Sequence, residues 1–562
     1  MRYCAVSNKI DVKDSVEWIN TDEFKLYGFT KICIGECIYY VALDGEVLNI
    51  EDIKDKYDIH DDFIEDVLAK CFHRFSLGFI RELRGAFSLI ICNGKELFAI
   101  KDQLGLRPIY YKDSSDIVLS NSFKTIFELT KEKAIVGNNE LCEILSLAPS
   151  MNPFRTFFKG FKQIMMGHYL ELRASIKIVK YYEIETKKHT DDYDTTILKI
   201  KELLNNSLEY NLNGCDSSFL SGGLDSSILV SLSKDKKPMK TYSLEYEGNS
   251  EYFNGNMYQV SLDSGFIKIM HDYANTKHTA LEIKQEELVN LLDDALRARE
   301  FPGMGDIDSS LLWLCDKLKD SKYILSGECS DEIFGGYPWF YREDLKDLNT
   351  FPWIKNLDER IELLNDKYKS LDIKNNISES YLRTVNEVKY LSSDDYDDKL
   401  MRKNTQLCLN WFMQTLVTRQ VMMGDYHNVV IRAPFADVEL FEYVYNIPWS
   451  MKYYNKDEKG ILREAFKDML PDEICRRKKN PFPKTHNPEF ATLIAEKLQS
   501  RLNSSKCVVN KIFDKNKLND LIASKGSSLT QPWFGQLMSG PQLLAFIYQL
   551  DLWFEIFNIE LE

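Results

Sequence analysis

Phe219-Leu220-Ser221-Gly222-Gly223-Leu224-Asp225-Ser226-Ser227 is the stretch that decides how this chain folds. Ser217–Leu220 reads as the end of a short buried strand, Gly222-Gly223 as a tight turn, and Ile228–Leu232 as an apolar helix. Two adjacent glycines let the backbone turn sharply and approach a ligand closely. The N–H groups at the start of the helix that follows form an anion site, and the serine hydroxyls add donors. Asp225 stands where a carboxylate could hold Mg²⁺ against phosphate oxygens. The spacing is not GxxxxGK[ST], so γ-phosphate transfer is not implied. A plain Gly/Ser turn is the alternative for this segment taken alone.

Working outward, Thr241–Tyr246 and Tyr323–Leu325 read as further buried strands with helices between them, the pattern of a parallel sheet. After Leu325 the chain enters Ser326-Gly327-Glu328-Cys329-Ser330-Asp331-Glu332, which packs three carboxylates into five residues. Such groups repel one another unless a cation neutralises them, and parallel sheets bind ligands at the C-terminal ends of their strands. Alone, this could be an exposed acidic turn. From about residue 350 the chain reads mostly helical. On the N-terminal side, Ala86–Ile91 and Leu97–Ile100 flank Asn93-Gly94, a hairpin signal. Ile109–Tyr111 and Ile117–Leu119 read as strands and Phe63–Phe72 as an amphipathic helix, giving an α+β layer fold. The charged stretch Glu185–Thr195 reads as a linker before a helix at Ile197–Leu208. The expected domains are 1–180 and 196–555, joined by 181–195.

The 562 residues carry a net charge of −15, which argues against general nucleic-acid binding. Met1-Arg2-Tyr3-Cys4 does not begin a signal peptide, because Lys9, Asp11, Lys13 and Asp14 interrupt any apolar core. No run approaches the roughly 20 apolar residues of a membrane span. The twelve cysteines are scattered without a CxxC pair. A cytoplasmic chain with free, mostly buried thiols and no structural metal is expected.

With these segments quoted, a resemblance becomes specific. Ser221–Ser227 resembles the SGGxDS pyrophosphate loop of the N-type ATP pyrophosphatases. Ser326–Tyr337 is similar to the SGEGxDExFGGY motif of the asparagine synthetases. Arg432-Ala433-Pro434-Phe435-Ala436-Asp437 resembles that family's RVPFLD, and Arg477–Phe482 its RxKxxF. The resemblance implies that Leu220, Ser221, Gly222, Gly223, Leu224, Asp225, Ser226, Ser227, Ser326 and Gly327 bind ATP and its pyrophosphate, and that Asp225 and Asp331 hold Mg²⁺. It implies that Glu328 handles the proton of an amine beside the reacting carbon, and that Lys479 offsets charge as pyrophosphate leaves. Lys479 also lies in the basic run Arg476–Lys479, which could be a solvated patch. Ser309 and Ser310 occupy the place of the family's carboxylate-substrate segment. The implied reaction adenylates a carboxylate with release of pyrophosphate, then lets ammonia or an amine displace AMP. The segment before RVPFLD departs from the family: Val421, Met422 and Val430 stand where charged residues are usual, hinting at an acid other than aspartate.

The N-terminal part resembles class II glutamine amidotransferases through Asp44–Asn49, Leu83–Ser88 and Ala99–Tyr111. The implied architecture is an Ntn-like αββα sandwich, followed by a parallel-sheet ATP-pyrophosphatase domain with a helical C-terminal part, α/β with α+β overall. That amidotransferase chemistry needs an N-terminal Cys. Cys4-Ala5-Val6 resembles the family's start, but Arg2 should protect Met1 from removal. The glutamine-anchoring segments are missing, Asp44 replaces the Asn of NGE, and Arg84 replaces the Asp of LDG. That last change reverses a charge where an ammonium would bind. The domain is expected to be a remnant without glutaminase activity, as in the β-lactam synthetases and lasso-peptide cyclases. Three readings stay open. One is a ligase acting on a small-molecule or peptide carboxylate and an amine or ammonia; the second is an intramolecular cyclase; the third is another ATP pyrophosphatase or a dead homologue. No nucleic acid or membrane partner is expected, and a homodimer is compatible.

Overall fold

The computed structural model describes residues 2–13, 16–114, 116–255, 261–529 and 531–562. Met1, on which the processing argument turns, lies outside them. The chain divides into two compact units. The first is built from the described residues of Met1–Leu141, Met151–Glu185 and Phe557–Glu562, the second from Cys142–Ser150 and Thr186–Ile556. The expected division at 181–195 assigned all of 1–180 to the first part. Instead, residues 142–150 pack with the second unit, and the last six residues return to the first, where Glu560 and Leu561 pair in parallel with Ile135 and Val136.

The first unit stacks two six-stranded sheets. Its long central strands alternate faces with the two-residue period of β structure. Tyr40, Ala42, Ile90 and Ala99 pack into the core that also holds Tyr3, Ala5 and Leu26, while Val41, Leu43, Leu89 and Ile100 pack with residues of the helices Ile50–Tyr57 and Ile64–Phe75. Burial on both faces explains why Leu89–Cys92 reads as an apolar run instead of an alternation. This is the expected Ntn-type sandwich. Cys4 sits in the strand Cys4–Ser7, paired with Tyr27 on one side and Ser120 on the other.

The second unit is organised by a five-stranded, all-parallel sheet: β1 (Ser217–Phe219), β2 (Lys240–Tyr246), β3 (Lys277–Ile283), β4 (Tyr323–Leu325) and β5 (Val430–Arg432), in the order β3-β2-β1-β4-β5. The order reverses between β1 and β4, and that switch point opens a crevice beyond the strand ends. The helix α1 (Tyr193–Leu212) starts inside the expected linker, because the Asp192 side chain caps it by accepting from Thr195 N–H. Helices α2 (Leu224–Ser233), α3 (Asp306–Lys317) and α4 (Met413–Tyr426) supply walls to the crevice. One π-helical turn, Cys408–Phe412, precedes α4 and shifts the face its later residues present. Beyond the sheet the unit is largely helical. Among the described residues no helix is long and apolar enough to cross a membrane.

Candidate active site

The turn after β1 is held by its own backbone. Leu220 N–H donates to Tyr242 O at 2.8 Å, and Ser227 N–H donates to Gly223 O as α2 begins. Gly222 has φ +65°, and a Cβ there would lie 2.7 Å from the Ile267 nitrogen, so only glycine fits. Ser221 and Ser226 bring their hydroxyls within 3.2 Å of each other, and Gly223 N–H donates to Ser221 Oγ at 3.3 Å. Arg477 donates to Ser221 O at 2.9 Å and so anchors this loop to the distant RxKxxF segment. Its guanidinium also pairs with Asp263.

The turn after β4 approaches the same place. Gly327 passes so close to α2 that a Cβ would sit 2.8 Å from the Asp225 Cβ. Cys329, which stands at the second Gly of the SGEGxDE pattern, has φ +73°, the left-handed region that favours glycine. Asp331 then points back across the crevice. Lys459 Nζ lies 2.7 Å from Asp225 Oδ2 and 2.5 Å from Asp331 Oδ1, and Lys479 Nζ lies 2.5 Å from Asp331 Oδ2. Burial alone would raise Asp331, but the two ammonium groups outweigh it and hold its carboxyl down at about 2. Burial likewise opposes the charge on Lys479, and Asp331, Asp225 and Glu328 hold it well above the ordinary lysine value. Ser330 Oγ donates to Asp225 at 2.7 Å. Glu332, fully buried beside Asp331 and Glu328, is pushed up to about 8 and accepts from Tyr337 OH at 2.8 Å. Glu328 pairs with Arg419 on α4 at 3.1 Å.

Asp225, Glu328, Asp331, Arg419, Lys459 and Lys479 line a cleft of about 1190 Å³, part of it open solvent. Of the residues expected from the sequence, Leu220, Ser221, Gly223, Leu224, Asp225, Ser226, Ser326, Gly327, Glu328, Asp331 and Lys479 line it. Gly222 shapes the turn from behind, and Ser227 is buried within α2. Ser309 and Ser310 are not on the wall. Both are fully buried on α3 and donate to the carbonyls of Gly305 and Ile307, while Leu311 and Leu314 of the same helix face the cleft. Val421, Met422 and Val430 are not on the wall either: Val421 and Met422 are buried in α4, and the cleft instead receives Arg419 and Gln420. Arg432 and Asp437 are structural. Arg432 donates to Asn211 O at 2.8 Å, and Asp437 caps the helix Val438–Tyr445.

Lys459, Arg419 and Phe482 were not singled out by sequence reasoning as site groups. Charge balance was the available signal: Asp225, Glu328 and Asp331 need three cations, and the structure supplies Lys459, Lys479 and Arg419. The residues also suit a divalent ion. Asp225 and Asp331 already converge on one cation, Lys459 Nζ, and Mg²⁺ commonly takes one or two carboxylates, with phosphate oxygens and water completing its shell.

In the first unit the expected glutaminase residues are enclosed. Cys4 is fully buried, and burial pushes its thiol far above the ordinary value. Tyr3, also fully buried, shares a 2.9 Å hydrogen bond with Ser88. Asp44 lies 3.6 Å from Arg107, both buried. Asp102 accepts from the backbone of Leu104, Leu106 and Arg107, which makes it a turn-forming residue.

Residues 199–555 match the asparagine synthase family, and residues 35–183 match the glutamine amidotransferase domain. The chain is 37% identical to asparagine synthetase [glutamine-hydrolyzing] 3 of Bacillus subtilis, covering 93% of this chain and 88% of that protein. It is 24% identical to asparagine synthetase [glutamine-hydrolyzing] 1 of the same organism, over 79% of this chain and 76% of the relative. It is also 24% identical to amidase chry2 of Gibberella zeae, over the same shares. The chain belongs to the asparagine synthase family, whose members carry out ATP-dependent amidation.

Proposed function

We propose that this chain is an AMP-forming amide ligase that splits ATP between the α- and β-phosphates and takes its nitrogen from ammonia or another amine, not from glutamine. The observation that carries the reading is the meeting of Asp225, Glu328, Asp331 and Lys479 in one cleft at the sheet's switch point. In this reading the Ser221–Ser226 turn and the first N–H groups of α2 take the triphosphate. Ser326 and Gly327 seat the nucleotide. Asp225 and Asp331 would hold Mg²⁺, which when bound would offset phosphate charge. A carboxylate oxygen of the acid attacks the α-phosphorus, the bond to pyrophosphate breaks, and Lys479 and Lys459 offset the charge that departs. The amine then attacks the acyl carbon, and AMP leaves with the electron pair of the broken C–O bond. Glu328 takes the amine proton.

The first unit supports this choice of nitrogen source. A thiol with Cys4's burial is a poor nucleophile, because the thiolate is the reactive form. Tyr3 is packed into the core ahead of it, and Arg84 would repel glutamine's ammonium. In this reading the chain differs, at the step that supplies nitrogen, from the B. subtilis relatives named as glutamine-hydrolysing.

A pyrophosphate-release screen tests the reading, with aspartate and other carboxylic acids set against ammonium, glutamine and free amines. The expected result is pyrophosphate, AMP and amide with ammonium, and no glutamate formed from glutamine. Equal rates with glutamine, accompanied by glutamate release, overturn the assigned nitrogen source. ADP and inorganic phosphate as products overturn the cleavage site. Activity confined to a molecule carrying both the acid and the amine identifies the cyclase reading instead.

A further inference from the structure

We infer that Arg419 is a positioning residue for the amide-forming half of the reaction, acting through Glu328; this rests on the reading above, in which Glu328 takes the amine proton. Arg419 is 2% exposed, yet its guanidinium faces the cleft. Its Nη2 lies 3.1 Å from Glu328 Oε1, and its Nε has no hydrogen-bond partner among the described residues. The guanidinium carbon lies over the Phe482 ring, 4.4 Å from its centroid. A buried arginine with an unused N–H is costly to maintain, and the one ion pair it makes among the described residues is to Glu328, the carboxylate placed beside the reacting carbon in that reading.

The surroundings explain what the guanidinium does. Glu328 is 22% exposed, shares the cleft with Asp331 and lies near the buried Glu332. Lys479, Tyr337 and Cys329 are the other titratable groups that feel its charge. The two lysine ammoniums of the site are committed to Asp331 and Asp225, so Arg419 is the cation whose position fixes the Glu328 side chain. An arginine presents a planar fork of donors, and the Phe482 ring beneath it adds a cation–π contact. The spacing of Lys479 and Phe482 thus acquires a physical meaning. One residue of the segment reaches Asp331, and the other braces the arginine that holds Glu328.

The chemistry confines the effect to one step. When the C–N bond forms and the acyl C–O bond to AMP breaks, the amine proton passes to Glu328. Adenylation needs no such transfer. Arg419→Met should therefore slow amide formation on the order of 10²-fold, the cost of misplacing a catalytic group by about 1 Å. ATP–pyrophosphate exchange should stay within about threefold of wild type. Arg419→Lys should recover part of the loss, and Phe482→Leu should give a smaller loss of the same kind. Methionine approximates arginine's volume and leaves no orphan N–H, and the Glu328 carboxylate left without its partner is 22% exposed and can be hydrated, so the fold should survive the change. Both half-reactions would be measured in the full-length protein with MgATP, ammonium and whichever acid supports exchange. A crystal structure of Arg419→Met supplies a readout that does not depend on substrate. The Glu328 carboxylate should move out of its place while the Lys459–Asp225 pair stays. Equal loss in both half-reactions, unchanged amide formation, or an unmoved Glu328 overturns the inference. If the wild-type protein catalyses exchange with no acid, the proposed function fails, and the crystallographic comparison still decides the positioning.

Discussion

Replacing Asp331 with Asn should disable the site and weaken the fold, and both effects can be sized. The Asp331 carboxylate is 8% exposed and receives Lys459 and Lys479, each at 2.5 Å. Asn keeps the shape and removes the charge, leaving the buried Lys459 ammonium and the partly exposed Lys479 ammonium without this partner. Breaking a buried ion pair by removing one member costs about 3–5 kcal/mol. The carboxyl itself falls from an ordinary 3.8 to about 2 on folding, and at about 1.4 kcal/mol per unit that shift is worth roughly 2.5 kcal/mol. Because the folded value lies below the unfolded one, this stabilisation is present above about pH 4 and is lost as the pH falls toward 2. Urea denaturation at pH 7 should show the variant about 2.5–5 kcal/mol less stable in the transition that reports on the second unit, and the gap should narrow below pH 4. Pyrophosphate release should fall on the order of 10²–10³-fold or more, the scale seen when a transition-state charge loses its stabilising group. A variant within about 1 kcal/mol of wild type in denaturation, with pyrophosphate release unchanged, would refute the reasoning.

Other outcomes follow from the same geometry. Gly327→Ala should abolish activity, because its Cβ would meet the Asp225 Cβ at 2.8 Å; pyrophosphate release checks it. Glu332 is pushed up to about 8, so the folded state holds a proton that the unfolded state gives up above pH 4.5. Stability should therefore decline as pH rises from about 4.5 to 8, and Glu332→Gln should remove that decline in a denaturation series across the range. Cys4→Ala should leave ammonia-dependent amide synthesis unchanged, as measured by product formation in both proteins. Chelation with EDTA should stop pyrophosphate release, and added Mg²⁺ should restore it.

The parts of the site legible in the sequence were those in which one contiguous segment does the work. The Phe219–Ser227 stretch announces strand, turn and helix in nine residues, because the glycines and the change of period are local signals. The acidic turn at Glu328–Glu332 was equally local. What stayed hidden depends on facing and on long-range contact. Lys459 joins Asp225 and Asp331 from more than a hundred residues away, and no local pattern marks it. Arg419 and Met422 are three positions apart on one helix, yet one lines the cleft and the other is core. The π turn before α4 makes that facing unreadable from period alone. Ser309 and Ser310 were placed by position in a motif, but helical phase directs them inward. The edge strand Lys277–Ile283 was missed because its polar, half-exposed sequence lacks the apolar run that marks the strands inside the sheet.

The central claim is attack of a carboxylate on the α-phosphorus, and oxygen transfer tests it most directly. The protein is incubated with MgATP, ammonium and an acid substrate labelled with ¹⁸O in its carboxylate. The account predicts that one labelled oxygen appears in the phosphate of AMP for each amide formed. Unlabelled AMP, or label recovered in inorganic phosphate alongside ADP, would contradict it.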